Sequence, residues 1–174
     1  MNYLDFRGNK IEKDNWLVLP DYRIGKVKKA DKKLEVAVIG ENNKVSLEPS
    51  ECSRTTIVTT LPLVSNGQAI EVVFDIVQYA TNGATAVDLI WVSETGIEPW
   101  NNLTINLDGY PPKHHAYIDT NNNGNEIVEW LISNHLAEPT GLFRQSGFCV
   151  YPMMKLDMKG IQKYTLCPYD ENDD

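Results

Sequence analysis

The sequence predicts an α+β chain: a small β-rich module first, then an antiparallel sheet with one main helix. Three observations predict it. Residues 13–52 break into short runs with apolar residues at alternate positions and turns close together, as short strands do. Residues 55–118 continue with β-branched and apolar runs separated by Asn-Gly turns. Only residues 124–136 change to helical spacing, where Ile127, Val128, Leu131, Ile132 and Leu136 make one apolar stripe.

The first module covers residues 1–54. Asn15 to Leu19 reads as a strand that stops at the turn pair Pro20-Asp21. Arg23 to Val27 follows, then Lys33 to Ile39, with Leu34, Val36 and Val38 on one face. Gly40-Glu41-Asn42-Asn43 turns the chain into Lys44 to Leu47. Strands this short suggest a small curled sheet, and residues 13–52 resemble the start of an SH3-like small β-barrel.

The second module is read as residues 55–168, with 169–174 as a disordered acidic tail. Thr55 to Val64 suits a strand or an extended linker. Ala69 to Ala80 and Ala84 to Val92 form a hairpin through Thr81-Asn82-Gly83, because Asn-Gly accepts the positive φ of a tight turn. Leu103 to Leu107 alternates as a half-buried strand, and Ala116 to Ile118 is a short apolar one. The helix runs from about Gly124 to Leu136, and Pro139-Thr140-Gly141 ends that unit. Ser146 to Leu156 is a final strand in which Pro152 implies an edge or a bulge.

Composition narrows the function classes. At 42% apolar, 174 residues can bury a packed core. No apolar run nears the ~20 residues a spanning helix needs, and Met1 to Lys13 is polar, so neither membrane nor signal peptide is expected. Cys52, Cys149 and Cys167 are too scattered for a metal knuckle or a disulfide framework, which fits reduced thiols in a cytoplasm. Charge divides along the chain: residues 1–54 carry eleven Lys/Arg against nine Asp/Glu, and residues 55–174 carry five against fifteen. The acidic part would repel phosphate, which opposes general nucleic-acid binding there.

The run Asp119-Thr-Asn-Asn-Asn-Gly-Asn admits two readings. Asp119, Asn121, Asn123 and Gly124 match the first half of a calcium loop, with oxygen donors at alternate positions and a glycine for the sharp turn. The second half fails, since Trp130 stands where a bidentate carboxylate is needed. Asparagines also cap helices, and Asn123 with Glu126 matches a cap-plus-acid start; the capping reading is favoured. No cofactor is expected. His114 and His135 sit at a strand start and a helix end without metal-ligand spacing, and His115 faces away from His114. Cys149 has the residue type of a nucleophile, but Phe148, Val150 and Tyr151 flank it, and a buried strand cysteine behaves as a small apolar residue.

Arg23, Lys26, Lys28, Lys29, Lys32 and Lys33 place six cations within eleven residues. They suit phosphate or an acidic protein, or they are lysines that guard a sheet edge; the edge reading is favoured, since no aromatic interleaves them. Trp91, Trp100, Trp130 and Tyr110 are read either as core or as pocket lining.

Four stretches carry a resemblance: Ala116 to Asn122, Glu129-Trp130-Leu131, Leu136 to Gly141, and Gln145 to Pro152. With Gly96 to Trp100 and Leu103 to Leu107, they resemble an uncharacterised family of small proteins from bacterial genomes and mobile elements, grouped as a domain of unknown function. The resemblance spans about residues 70–157, implies no activity, and assigns no functional residue. A mobile-element setting makes DNA mimicry by the acidic part thinkable, but its acids are scattered rather than striped.

Without a coherent catalytic set, the expectation is a non-enzymatic binding or accessory protein that contacts another protein. A nucleic-acid-associated factor using residues 23–33, or an enzyme centred on Cys149, are the alternatives.

Overall fold

A computed structural model describes residues 2–166; the expected acidic tail and Cys167 lie outside the described residues. The described chain divides into two compact units, residues 2–59 with 94–96, and residues 60–93 with 97–166. The expected boundary at residue 54 falls short of this division because residues 56–58 still form a strand paired within the first unit.

In the first unit, β1 (Trp16–Val18), β2 (Ile24–Ala30), β3 (Leu34–Val38), β4 (Lys44–Leu47) and β5 (Thr56–Val58) form one antiparallel sheet in the order β4-β3-β2-β1-β5. The alternation read at residues 34, 36 and 38 is real: all three bury inward with Leu17, Leu19 and Val27. The sheet does not close, because β4 and β5 remain at opposite edges; the small-barrel expectation is corrected to an open five-stranded sheet. Between those edges runs α1 (Pro49–Cys52), opened by a capping box between Glu48 and Glu51.

The second unit holds two sheets. β6 (Leu61–Ser65), β7 (Gln68–Gln78), β8 (Thr85–Ser93) and β9 (Gly96–Asn102) form a meander. β10 (Thr104–Ile105) and β11 (His115–Ile118) precede α2 (Thr120–Asn123) and α3 (Glu126–Ser133). β12 (Ala137–Ser146), β13 (Cys149–Leu156) and α4 (Met158–Gln162) complete the unit, and its other sheet runs β10-β11-β13-β12. Val72, Phe74, Val87 and Leu89 from the meander share a core with Ile118, Met154 and Leu156 from the other sheet and with Ile127 and Leu131 of α3.

The α+β expectation is therefore corrected to a mostly β chain, with 49% of the described residues in strand and 13% in helix. Two local causes explain the error. The helical stripe is real but short: α3 has eight residues. It stops because His135 takes φ 56°, and the Leu136 N–H then reaches back to Leu131 O at 2.9 Å and the His135 N–H to Ile132 O at 3.0 Å. That pair of bonds is the helix-ending motif that usually has glycine where His135 stands. The other cause is Pro139-Thr140-Gly141, which does not end a unit but sits inside β12 as a bulge, between the pairs Pro139–Met154 and Phe143–Pro152. Pro152 is explained by the same register. Only Met153–Lys155 have β11 as a further neighbour, so Pro152 lies where β12 alone flanks the strand.

Candidate functional site

The bulge and the short β11 together make the distal half of the β12–β13 hairpin a two-stranded ribbon. Residues 143–146 and 149–152 pair with each other and lie outside the register with β11. A two-residue loop closes the ribbon, with Gly147 at φ 60°, as a tight hairpin turn with glycine at its first central position requires. The other loop residue, Phe148, projects into solvent.

Four large apolar side chains of this hairpin are exposed: Leu142 at 60%, Phe143 at 67%, Phe148 at 105% and Val150 at 54%. Scattered exposed apolar residues are ordinary, but Leu142, Phe143 and Val150 line one groove, and Phe148 stands at the tip of the same hairpin. Beside it lies a groove of about 440 Å³, lined by Val128 and Glu129 of α3 and by Leu142, Phe143, Val150 and Pro152. Arg144 leaves this face, since its guanidinium donates to Asp108 O. Sequence reading missed Leu142 and Phe143 because Pro139 and Gly141 read as a loop. It also placed Phe148 and Val150 against a buried strand cysteine, whereas both are exposed and Cys149 itself is half-buried.

The Asn-rich run forms the short helix α2, and the expected Asn123–Glu126 cap is corrected, since α3 follows Asn125, which makes no side-chain cap bond. Asp119 is buried and caps α2, its carboxylate accepting from Asn122 N at 3.2 Å and from Asn122 Nδ2 at 2.6 Å. Asn123 points the same way: its Nδ2 donates to Asp119 O at 2.9 Å and to Asn102 O at 2.8 Å, and its Oδ1 accepts from Asn101 Nδ2 at 3.3 Å. Asn121 diverges, because residues two apart on a helical turn point to different faces. Its Oδ1 accepts the Cys149 thiol at 3.3 Å. The structure thus brings Asp119 and Asn123 together and sends Asn121 to β13. Among the described residues, no group of three or more His, Cys, Asp or Glu is placed to hold a metal ion.

Around Cys149 the neighbours are polar but not catalytic in arrangement. Hydrogen bonding with Cys149, then burial, pushes the Tyr151 phenol above its ordinary value. The histidines are engaged elsewhere: His115 Nδ1 bonds Lys113 O at 2.9 Å, and His114 and His135 line a different cavity beside α4.

The basic cluster is largely occupied by its own unit. Arg23 pairs with Asp21 at 2.7 Å and with Glu41. Lys26 reaches Glu94 at 3.2 Å and lies over the Trp16 ring, and Lys29 meets Asp31 at 3.4 Å. Lys28, Lys32 and Lys33 are exposed. The aromatics divide as well: Trp91, Trp100 and Trp130 pack against the core of the second unit, and Tyr110 is exposed.

A family model described as Domain of unknown function (DUF4313) matches residues 73–172, from the middle of β7 onward. The resemblance read at about residues 70–157 lies almost wholly within that span. No curated protein and no solved structure matches the chain. No helix among the described residues is long and apolar enough to cross a membrane.

Proposed function

The chain belongs to the DUF4313 family, and because that membership brings no activity with it, we propose a role from the surface: a binding module that docks another protein on the β12–β13 hairpin. The observation that carries this reading is the exposed row of Leu142, Phe143, Phe148 and Val150 on a ribbon that projects past its own sheet. Burying such side chains contributes about 25 cal/mol per Å² of apolar area, and aromatic anchors dominate protein interfaces. The partner segment this surface suits is apolar with flanking lysine or arginine. Apolar side chains fill the groove, and cations meet Glu129 and an acidic unit whose described residues hold ten Asp/Glu against five Lys/Arg.

Two other readings have less support. Three of the six cations at residues 23–33 already face acids, which lowers the charge available to nucleic-acid phosphate. Cys149 donates to an asparagine rather than to a base.

The test places a photocrosslinking residue at Phe148 in host lysate, identifies the captured protein, and titrates that purified protein against the native chain and the F143S/F148S variant. The expected result is at least about tenfold weaker binding by the variant. Equal binding, no captured protein, or crosslinks to lipid alone would overturn the proposal.

A further inference from the structure

The second unit contains a cavity of about 630 Å³ at the base of the β12–β13 hairpin, lined there by Ala137 to Pro139 and by Lys155 and Leu156, away from the exposed row at its far end. It lies where the loop before β11, the end of α3 and the start of α4 come together. His114, His135, Lys155 and Lys159 line it, over an apolar floor of Ile132, Leu156 and Met158. This volume is in the range of roughly 300–1,000 Å³ that metabolite-sized ligands occupy, and an apolar floor with few polar groups is their usual setting.

Both histidines occupy backbone that suits other residues better. His114, at φ 62°, is the third residue of a turn closed by the His115 N–H on Pro112 O at 2.9 Å. His135, at φ 56°, fills the glycine position of the helix-ending motif after α3. Left-handed backbone at a residue other than glycine costs on the order of 1–3 kcal/mol and concentrates at functional sites. Glycine or asparagine would serve each turn better, so the fold gives no reason for a ring at either place. Yet both rings stand at one cavity.

The Nε2 atom of His114 is sealed from solvent and has no hydrogen-bond partner among the described residues. A buried polar atom left this way costs about 1–3 kcal/mol, and native structures seldom keep one without a use. Charge gives the ligand class. The described residues of this unit contain five Lys/Arg, and two of them line this one cavity. Its two acids equal these lysines in number: Asp157 caps α4, accepting from Gly160 N at 3.2 Å, and Glu138 and Lys155 stand directly across the strand pair from each other.

We propose that this cavity binds a small organic oxyanion, a carboxylate- or phosphate-bearing molecule held by Lys155 and Lys159 and, once the His114 ring turns to open its sealed Nε2 to the cavity, hydrogen-bonded by that ring. Glu138 and Asp157 keep the local charge low, which selects a small anion over a nucleic-acid backbone.

The test uses the full chain in chloride at constant ionic strength, titrated with inorganic phosphate and, separately, with citrate. Histidine ring resonances are followed below about 10 mM ligand, where salt exclusion effects on stability are small. Saturable shifts at His114 and His135 are expected, with phosphate alone or citrate alone naming the source of the oxyanion. K155A/K159A is expected to weaken binding at least about tenfold. H114N keeps a residue that tolerates the turn and is expected to do the same. The proposal is overturned if neither anion gives a saturable histidine shift, or if the shifts persist unchanged in both variants. Should a variant unfold, shifts in the native chain that spread beyond the cavity lining count against the site.

Discussion

The β2–β3 hairpin of the first unit and the β12–β13 hairpin of the second meet solvent in opposite ways. By sequence, β2–β3 has the marks of a site, with six cations in eleven residues; in the structure it is largely self-satisfied. Arg23, Lys26 and Lys29 each find an acid nearby, while Val27, Leu34 and Val36 bury completely beneath them. By sequence, β12–β13 reads as a broken strand; it proves to be a ribbon whose apolar side chains have nothing to cover them. A run of charge is not a surface for a partner until its own neighbours have been counted. Surface ion pairs add little stability, but they do neutralise the field a phosphate would feel.

The largest test of this contrast truncates an apolar residue in each hairpin. Leu34 of β3 is fully buried, so Leu34→Ala loses its transfer energy and leaves a cavity, a destabilisation of about 2–5 kcal/mol. Phe148→Ser removes a larger side chain that touches mainly water, and is expected to change stability by less than about 0.5 kcal/mol. Urea unfolding followed by tryptophan fluorescence reads both. A cost for Phe148→Ser that approaches that of Leu34→Ala would mean the exposed ribbon supports the fold, and the contrast would fail.

What the sequence made legible follows from the range of its signals. The 34/36/38 alternation needs only its own strand, and it was right. The stripe of α3 was right in face, since Ile127 and Leu131 are core, but too long, because His135 hides a stop that glycine would have announced. β12 was missed since Pro139 and Gly141 are breakers in isolation, and only pairing with Met154 and Pro152 shows that a bulge absorbs them. Closure of the β1–β5 sheet depends on whether β4 meets β5, a contact no local pattern encodes. The site residues divide the same way. That the Asn-rich run caps a helix was readable, but the pattern pointed to Asn123 with Glu126 as the cap, whereas Asp119 caps α2 through Asn122 and α3 follows Asn125. The exposure of Phe143 and Phe148 was not readable, because it depends on β11 ending early.

A smaller effect is expected at Asp119. Its carboxylate holds the first turn of α2 from a buried position, so Asp119→Ala is expected to cost about 1–3 kcal/mol through loss of the cap and two unpaired donors. Calcium is expected to leave the melting temperature of the native chain unchanged, since Asn121 is turned to Cys149 and Asn123 to Asn101. A calcium-dependent rise that Asp119→Ala removes would restore the loop as a cation site and shift attention away from the hairpin.

Smaller again, and opposite in sign, is His135→Gly. It relieves left-handed backbone at the end of α3 and is expected to stabilise by about 1 kcal/mol. Urea midpoints decide it. A loss instead of a gain would mean the ring contributes packing that outweighs the strain, and one reason for assigning the cavity a ligand would go.

The smallest effect compares one carboxylate from each unit by pH. Hydrogen bonding to Arg23 holds Asp21 below the usual carboxylate range. Its contribution is therefore present above the unfolded value of about 3.9 and is lost as pH falls through the folded value. Burial, then the charge of Asp75 directly across β7 and β8, pushes Asp88 upward. The folded chain keeps that proton longer than the unfolded chain does, so stability is lost as pH rises through the folded value, and the deficit persists at neutrality. Asp21→Asn is thus expected to be less stable than the native chain at pH 7, and Asp88→Asn more stable. Both differences should shrink on acidification, one from below and one from above. Melting curves from about pH 3 to pH 8 give the two slopes, and slopes of the same sign would show that the first unit's surface charges are not satisfied in the way its ion pairs imply.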